Sequence, residues 1–213
     1  MCHKPAGLAT QTGKVGQKDL VSEIKNYLGN SPYLGLVHRL DQPVEGLLVF
    51  AKTPFAAKEL SRQLSDHILN KQYLAIVFGK GFPKETRLEN YLLKDNKTNM
   101  SRVAREKETG AKRAELSVKT LYCMEETNIA LVSVNLYTGR HHQIRVQLAG
   151  AGFPLLGDSK YGTEESMQKS KELGVCNVAL CAYSLSFRHP KTGKMMEFQT
   201  EPQGVLFQKM LQK

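Results

Sequence analysis

Short apolar runs separated by polar, Gly- and Pro-containing crossings dominate this chain, and only a few stretches show helical spacing. Two runs, Tyr33 to Val37 and Leu47 to Ala51, are rich in Leu and Val and have the length of buried strands. The crossing between them holds Pro43 and Gly46, so the pattern predicts a strand pair whose connection carries His38, Arg39, Asp41 and Glu45. Asp19 to Leu28 predicts a helix, with Leu20, Val21, Ile24 and Leu28 on one face, Asp19 as cap and Gly29 after its end. Thr53 to about Asp66 predicts a second helix: Thr53 caps it, Pro54 suits its first turn, and Phe55, Ala56, Leu60 and Leu64 form the buried stripe.

Lys71 to Gly79 alternates as a strand does, Tyr73, Ala75 and Val77 against Leu74, Ile76 and Phe78. Ala114 to Met124 and Ile129 to Tyr137 predict two paired strands joined through Glu125 to Asn128. Leu180 to Arg188 and Met195 to Thr200 predict a closing hairpin that turns at His189 to Gly193. Ile144 and Leu148, four apart, imply a short helix anchored on one face. Tyr161 to Asn177 is polar and predicts a loop with some helix. Many strands with few helices imply an α+β fold with a mostly antiparallel mixed sheet and flanking helices, and 213 residues imply one domain, 1–213.

The formal net charge of +10, from 30 basic and 20 acidic residues, adds a partner to that picture: a polyanion, nucleic acid before an anionic membrane surface. No apolar run approaches the roughly 20 residues of a membrane span, and the first residues lack the apolar core of a signal peptide, which implies a cytoplasmic protein. Lys94 to Arg113, with seven basic and three acidic residues, predicts a solvated loop that is also a candidate phosphate-contacting surface. The four cysteines form no CxxC pair and no zinc-finger spacing, so reduced thiols and no metal site are expected.

An Arg and an Asp two residues apart beside a turn are more often a surface ion pair or a turn cap than catalysts, and local chemistry alone favours that reading. A second stretch, a hundred residues on, overturns it. Leu36 to Lys52, LVHRLDQPVEGLLVFAK, and Gly139 to Val146, GRHHQIRV, together resemble the RluA family of pseudouridine synthases. That family's signatures read roughly H-R-L-D-x-x-[TD]-[ST]-G-L-L-[LV]-x-A-K and G-R-[TK]-H-Q-I-R-V-H. Three further segments are similar to family motifs: Lys4-Pro5-Ala6-Gly7 to K-P-x-G, Lys71 to Gly79 to K-x-Y-x-A-x-V-x-G, and Gly157 to Gly162 to G-D-x-x-Y-G, the last taken mainly as a structural turn. The resemblance covers about residues 3 to 200.

It implies a cofactor-free isomerase acting on structured RNA, ribosomal or transfer, as a monomer with the pseudouridine synthase fold. Asp41 is then the catalytic carboxylate and Arg145 the cation paired with it; an Arg stays charged and forks around a carboxylate. Tyr73 stacks on the target uracil, and Arg39 fills the gap that the flipped nucleotide leaves. His38, Arg140, Gln143 and Ile144 complete the substrate-binding set, Arg140 and Gln143 as phosphate or positioning groups.

The chain departs from the pattern at Val44-Glu45, where Thr-Ser or Asp-Ser is usual, and at His141, Gln147 and Cys181, which replace Thr, His and His. Glu45 beside the catalytic loop could alter substrate choice or raise the pKa of Asp41. The family places a strand, and often an S4-type RNA-binding domain, ahead of K-P-x-G; here three residues precede Lys4, as in a minimal member or a truncated gene. A rival expectation is a catalytically impaired RNA-binding paralogue on the same fold.

Overall fold

The computed structural model describes residues 1–14, 16–29 and 33–212, which form two compact units. The first comprises Met1–Lys71 and Ala182–Glu201, the second Gln72–Cys181 and Pro202–Lys213.

In the first unit β1 (Cys2–Lys4) pairs antiparallel with β3 (Glu45–Leu48), Cys2 opposite Leu48 and Lys4 opposite Gly46. The expected pair of buried strands is smaller than the sequence pattern suggests. Only β2 (Gly35–Leu36) and β4 (Phe50–Ala51) face each other, and Tyr33 to Val37 are half-buried. Glu45 lies within β3 and is buried, so the connection that carries Asp41 ends before it. Gly46 is not turn punctuation. Its φ is +126°, and a Cβ there would meet the Ala182 backbone N and O at 2.5 Å, so β3 can approach β10 (Leu180–Arg188) only without a side chain. β10 continues antiparallel to β11 (Met195–Gln199), as the closing-hairpin pattern predicts.

Helices α1 (Leu20–Leu28) and α2 (Pro54–Ser65) form where spacing and caps predict them. The Asp19 carboxylate accepts from the Ser22 N–H and the Thr12 N–H, both at 2.7 Å, so one side chain starts α1 and holds the preceding loop. Ala56, Ala57, Leu60 and Leu64 of α2 pack on Leu47, Val49, Leu185 and Phe187, the core of this unit. Phe55, expected in that stripe, is 64% exposed; next to Pro54 in the first turn, it precedes the part of the helix that meets the sheet. Gln63 locks α2 to β10 by accepting from the Arg188 N–H and donating to the Arg188 carbonyl, both at 2.8 Å.

The second unit is built on an antiparallel ladder in the order β5 (Asn70–Phe78), β9 (Ile129–Leu136), β8 (Lys112–Met124), β6 (Glu85–Asp95), β7 (Met100–Ala104). The Lys94 to Arg113 stretch is thus not one solvated loop; it contains a hairpin and the start of β8. Alternation on β6 is masked by its charged outward face, where Arg87, Glu89 and Arg113 of β8 make cross-strand pairs. α3 (Gln143–Gly150) packs Val146 on Leu92 and Ala114, and α4 (Glu164–Glu172) and α5 (Val205–Leu211) complete the unit.

Candidate functional site

Asp41 projects from the 39–44 loop of the first unit, and the amino-terminal segment brackets its peptide on both sides. Upstream, the Thr10 hydroxyl donates to the Leu40 carbonyl (2.8 Å) and accepts from the Leu40 N–H (3.2 Å). Downstream, the Gln42 carbonyl accepts from the Gly7 N–H (2.8 Å) and from Lys4 Nζ (3.1 Å), while Gln42 Nε2 donates back to the Gly7 carbonyl (3.0 Å). A tight turn from the Val44 N–H to the Asp41 carbonyl (3.1 Å) closes the loop.

Lys4, the lysine of the K-P-x-G segment, is wholly buried, and its ammonium also donates to the Pro5 (2.9 Å) and Leu8 (2.6 Å) carbonyls. Burial pushes its pKa down to about 8, and the nearby carboxylates of Asp41 and Glu45 act against that shift. Lys4 and Thr10 hold the Asp41 loop, which a turn-like reading of the segment passes over; the lysine of the K-P-x-G segment was the available signal.

Around that loop, Arg39 is exposed and its Nη2 donates to Gln11 Oε1 (3.0 Å). His38 is turned inward: its Nε2 accepts from the Val49 N–H (3.4 Å), its Nδ1 is buried without a hydrogen-bond partner, and burial, reinforced by Lys71, pushes its pKa down to about 3. His38 therefore shapes the loop from beneath. Glu45, also buried, has His3 Nε2 at 3.9 Å.

In the second unit Tyr73 sits on β5 opposite Val134 of β9, 5% exposed. Arg145 lies on α3 and makes a two-pronged ion pair with Asp158: Nε donates to Oδ2 at 2.7 Å and Nη2 to Oδ1 at 2.6 Å. The ring of Tyr161 lies 5.1 Å from the guanidinium carbon. The phenol oxygen accepts from the Ser101 N–H (2.8 Å) and bonds His142 Nδ1 (2.7 Å). His142 takes a left-handed backbone (φ +54°) at the start of α3 and stacks on His141, whose Nδ1 bonds the Ser101 hydroxyl (2.9 Å). The unusual His141 thus ties the β7 hairpin to α3.

Gln143 is buried, with both ends of its amide engaged. Its Oε1 accepts from the Thr138 hydroxyl and the Arg140 N–H, and its Nε2 donates to the Glu115 carbonyl. Arg140 is exposed and its Nε donates to the Arg113 carbonyl (2.9 Å). Ile144 packs inward. Gln147, in the place of the family's His, donates to Asn90 Oδ1 (2.8 Å) and so ties α3 to β6. The Gly157 to Gly162 segment is indeed a turn, but Asp158 within it also holds Arg145, a contact that motif spacing alone does not reveal.

The cations of the β6–β8 region divide into two sets. Arg87 and Arg113 both pair with Glu115, Arg113 also with Glu89, and Arg102 with Glu108. Lys94, Lys97, Lys107 and Lys112 lie toward the hairpin end and the loop after it, all four exposed. Among the described residues no group of three or more His, Cys, Asp or Glu side chains is placed to hold a metal, and no helix is long and apolar enough to cross a membrane.

Residues 1–150 match the family model for RNA pseudouridylate synthase. The chain is 34% identical over 198 residues to the ribosomal large subunit pseudouridine synthase C of Haemophilus influenzae, covering 92% of this chain and 60% of that protein. It is 36% identical over 169 residues to the ribosomal large subunit pseudouridine synthase D of Zymomonas mobilis, covering 78% of this chain and 52% of that one. The chain therefore spans about three fifths or less of the length of these curated relatives. In fold it is similar to human RNA pseudouridylate synthase domain containing 4 (TM-score 0.77, 21% identity, 99% of this chain and 87% of the other). Human RNA pseudouridylate synthase domain containing 1 gives a TM-score of 0.73 at 20% identity, over 94% and 78% of the two chains. With both signature stretches in order and seven tenths of its length matched, the chain belongs to the RNA pseudouridylate synthase family, of the RluA type.

Proposed function

We propose that this protein is a pseudouridine synthase that isomerises uridines in structured RNA, and that its substrate is large-subunit ribosomal RNA, the RNA for which its relatives are named. The observation that carries the reading is the clamp on Asp41: Thr10 on one neighbouring peptide, Lys4 and Gly7 on the other. A surface ion pair or turn cap needs no such fixation, whereas a carboxylate that must meet one atom of a flipped nucleotide does.

In the reaction the N1–C1′ bond breaks, the uracil rotates, and a C5–C1′ bond forms while C5 loses its proton and N1 gains one. Asp41 answers the positive charge that develops at the sugar as the base departs. Uracil leaves as a stable anion, so one carboxylate suffices where glycoside hydrolases use two. By the family pattern the roles of charge partner, base-stacking ring and stack-filling side chain fall to Arg145, Tyr73 and Arg39, of which Arg39 is exposed. His38, Gln143 and Ile144 shape backbone, and Arg140 with the hairpin lysines contacts phosphate. The protein works in the cytoplasm, as a monomer and without a cofactor.

The test is tritium release from 5-³H-uridine-labelled total RNA by wild type and Asp41→Asn. Release by wild type that is abolished in Asp41→Asn, with RNA binding retained, is the expected result. Salt-sensitive binding without release from any RNA pool would favour the impaired RNA-binding paralogue, to which the Val44-Glu45 substitution points.

A further inference from the structure

We propose that Gln11 is a substrate-reading residue for the isomerisation: its amide oxygen holds the Arg39 guanidinium, and its NH₂ group donates to an acceptor atom of the RNA beside the target nucleotide. This rests on the reading of Arg39 as the side chain that fills the place of the extruded base.

Arginine carries donors only, so the group that faces it must be an acceptor. Arg39 Nη2 donates to Gln11 Oε1 at 3.0 Å, which fixes the amide: its oxygen is turned to the guanidinium and its NH₂ group is turned away. Both residues are exposed, and among the described residues Gln11 Nε2 meets no acceptor.

A free donor on a surface is ordinary; this one is held still. The Ala9 carbonyl accepts from the Leu20 N–H (3.0 Å) and the Thr10 carbonyl from the Val21 N–H (3.1 Å), so the chain ahead of Gln11 is tied to the first turn of α1. After it, the Thr12 N–H donates to the Asp19 carboxylate that caps the same helix (2.7 Å). The Thr10 hydroxyl bonds both the N–H and the carbonyl of Leu40, the residue after Arg39. The backbones that carry Gln11 and Arg39 are therefore fixed to each other. A donor pinned in this way gives up little conformational freedom on meeting its acceptor, which lets a single neutral side chain contribute to binding.

The partner that fits is RNA. From Gln11 to Lys18 the loop carries Lys14 and Lys18, both exposed, and no acidic residue. A Cβ at Gly13 or Gly16 would meet nothing within 4 Å, so the loop stands open on that side. A nucleotide offers matching acceptors on its base edge and in its phosphate oxygens.

Gln11→Glu separates holding from reading: the carboxylate still accepts from Arg39, while the donor is gone. Gln11→Ala removes both. Tritium release from 5-³H-uridine-labelled total RNA and the Kd for a large-subunit ribosomal RNA transcript are measured for wild type, both variants and Asp41→Asn. The measurements are made at about 50 and about 200 mM salt, with thermal melting of each protein. Gln11→Glu and Gln11→Ala are each expected to weaken binding and lower kcat/KM about 10-fold at both salt concentrations. The rate at saturating RNA should stay within about 3-fold of wild type, and melting should be unchanged. Replacing each base that flanks the modified uridine then identifies the acceptor. A deficit that follows one base places the contact on that base edge, and a deficit indifferent to all of them places it on a phosphate.

Gln11→Glu equal to wild type while Gln11→Ala is impaired makes Gln11 a holder of Arg39 only and overturns the proposal. So does Gln11→Ala equal to wild type, or a Gln11→Glu deficit that vanishes at the higher salt, which is charge repulsion alone. Wild-type protein without turnover on any RNA refutes the synthase reading; the Kd comparison, which needs no chemistry, then decides the Gln11 contact by itself.

Discussion

His38 makes the first unit sensitive to acid. Its imidazole is buried, accepts from the Val49 N–H through Nε2, and leaves Nδ1 without a partner; burial, with Lys71 nearby, lowers its pKa from 6.5 to about 3. The folded state thus excludes a proton that the unfolded chain binds at about 6.5. Stability is complete above that pH and is lost as the pH falls toward 3. The loss is about 1.4 kcal/mol per pH unit, so about 2 kcal/mol at pH 5, a large part of the roughly 5–15 kcal/mol that holds a typical domain together. His38→Gln keeps an acceptor and removes the titration. Urea unfolding of both proteins at pH 7.5, 6 and 5 isolates the contribution, because every other titrating group is shared. Wild type should lose about 2 kcal/mol more than His38→Gln between pH 7.5 and 5. Parallel stability curves would show that the ring accepts a proton in the fold and that the burial argument is wrong.

Gly46→Ala should destabilise the protein by at least about 3 kcal/mol in chemical denaturation, since the added carbon meets strand backbone and not a movable side chain; Gly16→Ala, also at positive φ but in open space, should cost far less. If about six phosphates are neutralised, RNA affinity should fall by about 10³ between 50 and 200 mM salt. Lys97→Glu with Lys107→Glu should lower the salt slope by about two units, while Arg113→Gln, whose charge is already met by Glu89 and Glu115, should change it less; equal slopes would move the phosphate contacts off the hairpin.

Helices α1 and α2 could be read from the sequence because their evidence is local: a cap, a Pro in the first turn, and apolar residues at helical spacing. The strands were less legible wherever long-range pairing decides. Tyr33 to Val37 and Leu47 to Ala51 look like one pair of strands, yet the second run is shared. Leu47 and Leu48 pair with β1 and only Phe50 and Ala51 return to β2, a choice made by Gly46 letting β3 close on β10. β6 and β7 were hidden because their alternation carries charged residues outward, and a charge run reads as loop until the partner strand supplies Glu115 and Arg113.

The site residues divide along the same line. Asp41, Tyr73 and Arg145 were named from motifs, because a motif records which residues chemistry needs. The groups that hold Asp41 and Arg145 in place (Lys4, Thr10 and Asp158) are separated from them by between 13 and 37 positions and are linked to them only by the fold. A carboxylate and a guanidinium are common side chains. In this chain each is fixed by buried partners whose own backbone is pinned: the Asp41 loop by the Lys4 ammonium among three carbonyls, Arg145 by an Asp158 that a glycine-dependent turn holds still. Substitutions at Lys4 or Thr10 should therefore lower the rate by displacing an intact Asp41, whereas Asp41→Asn removes the carboxylate itself. The two classes separate in single-turnover rates on labelled RNA: displacement leaves a reduced but measurable rate, and removal abolishes it.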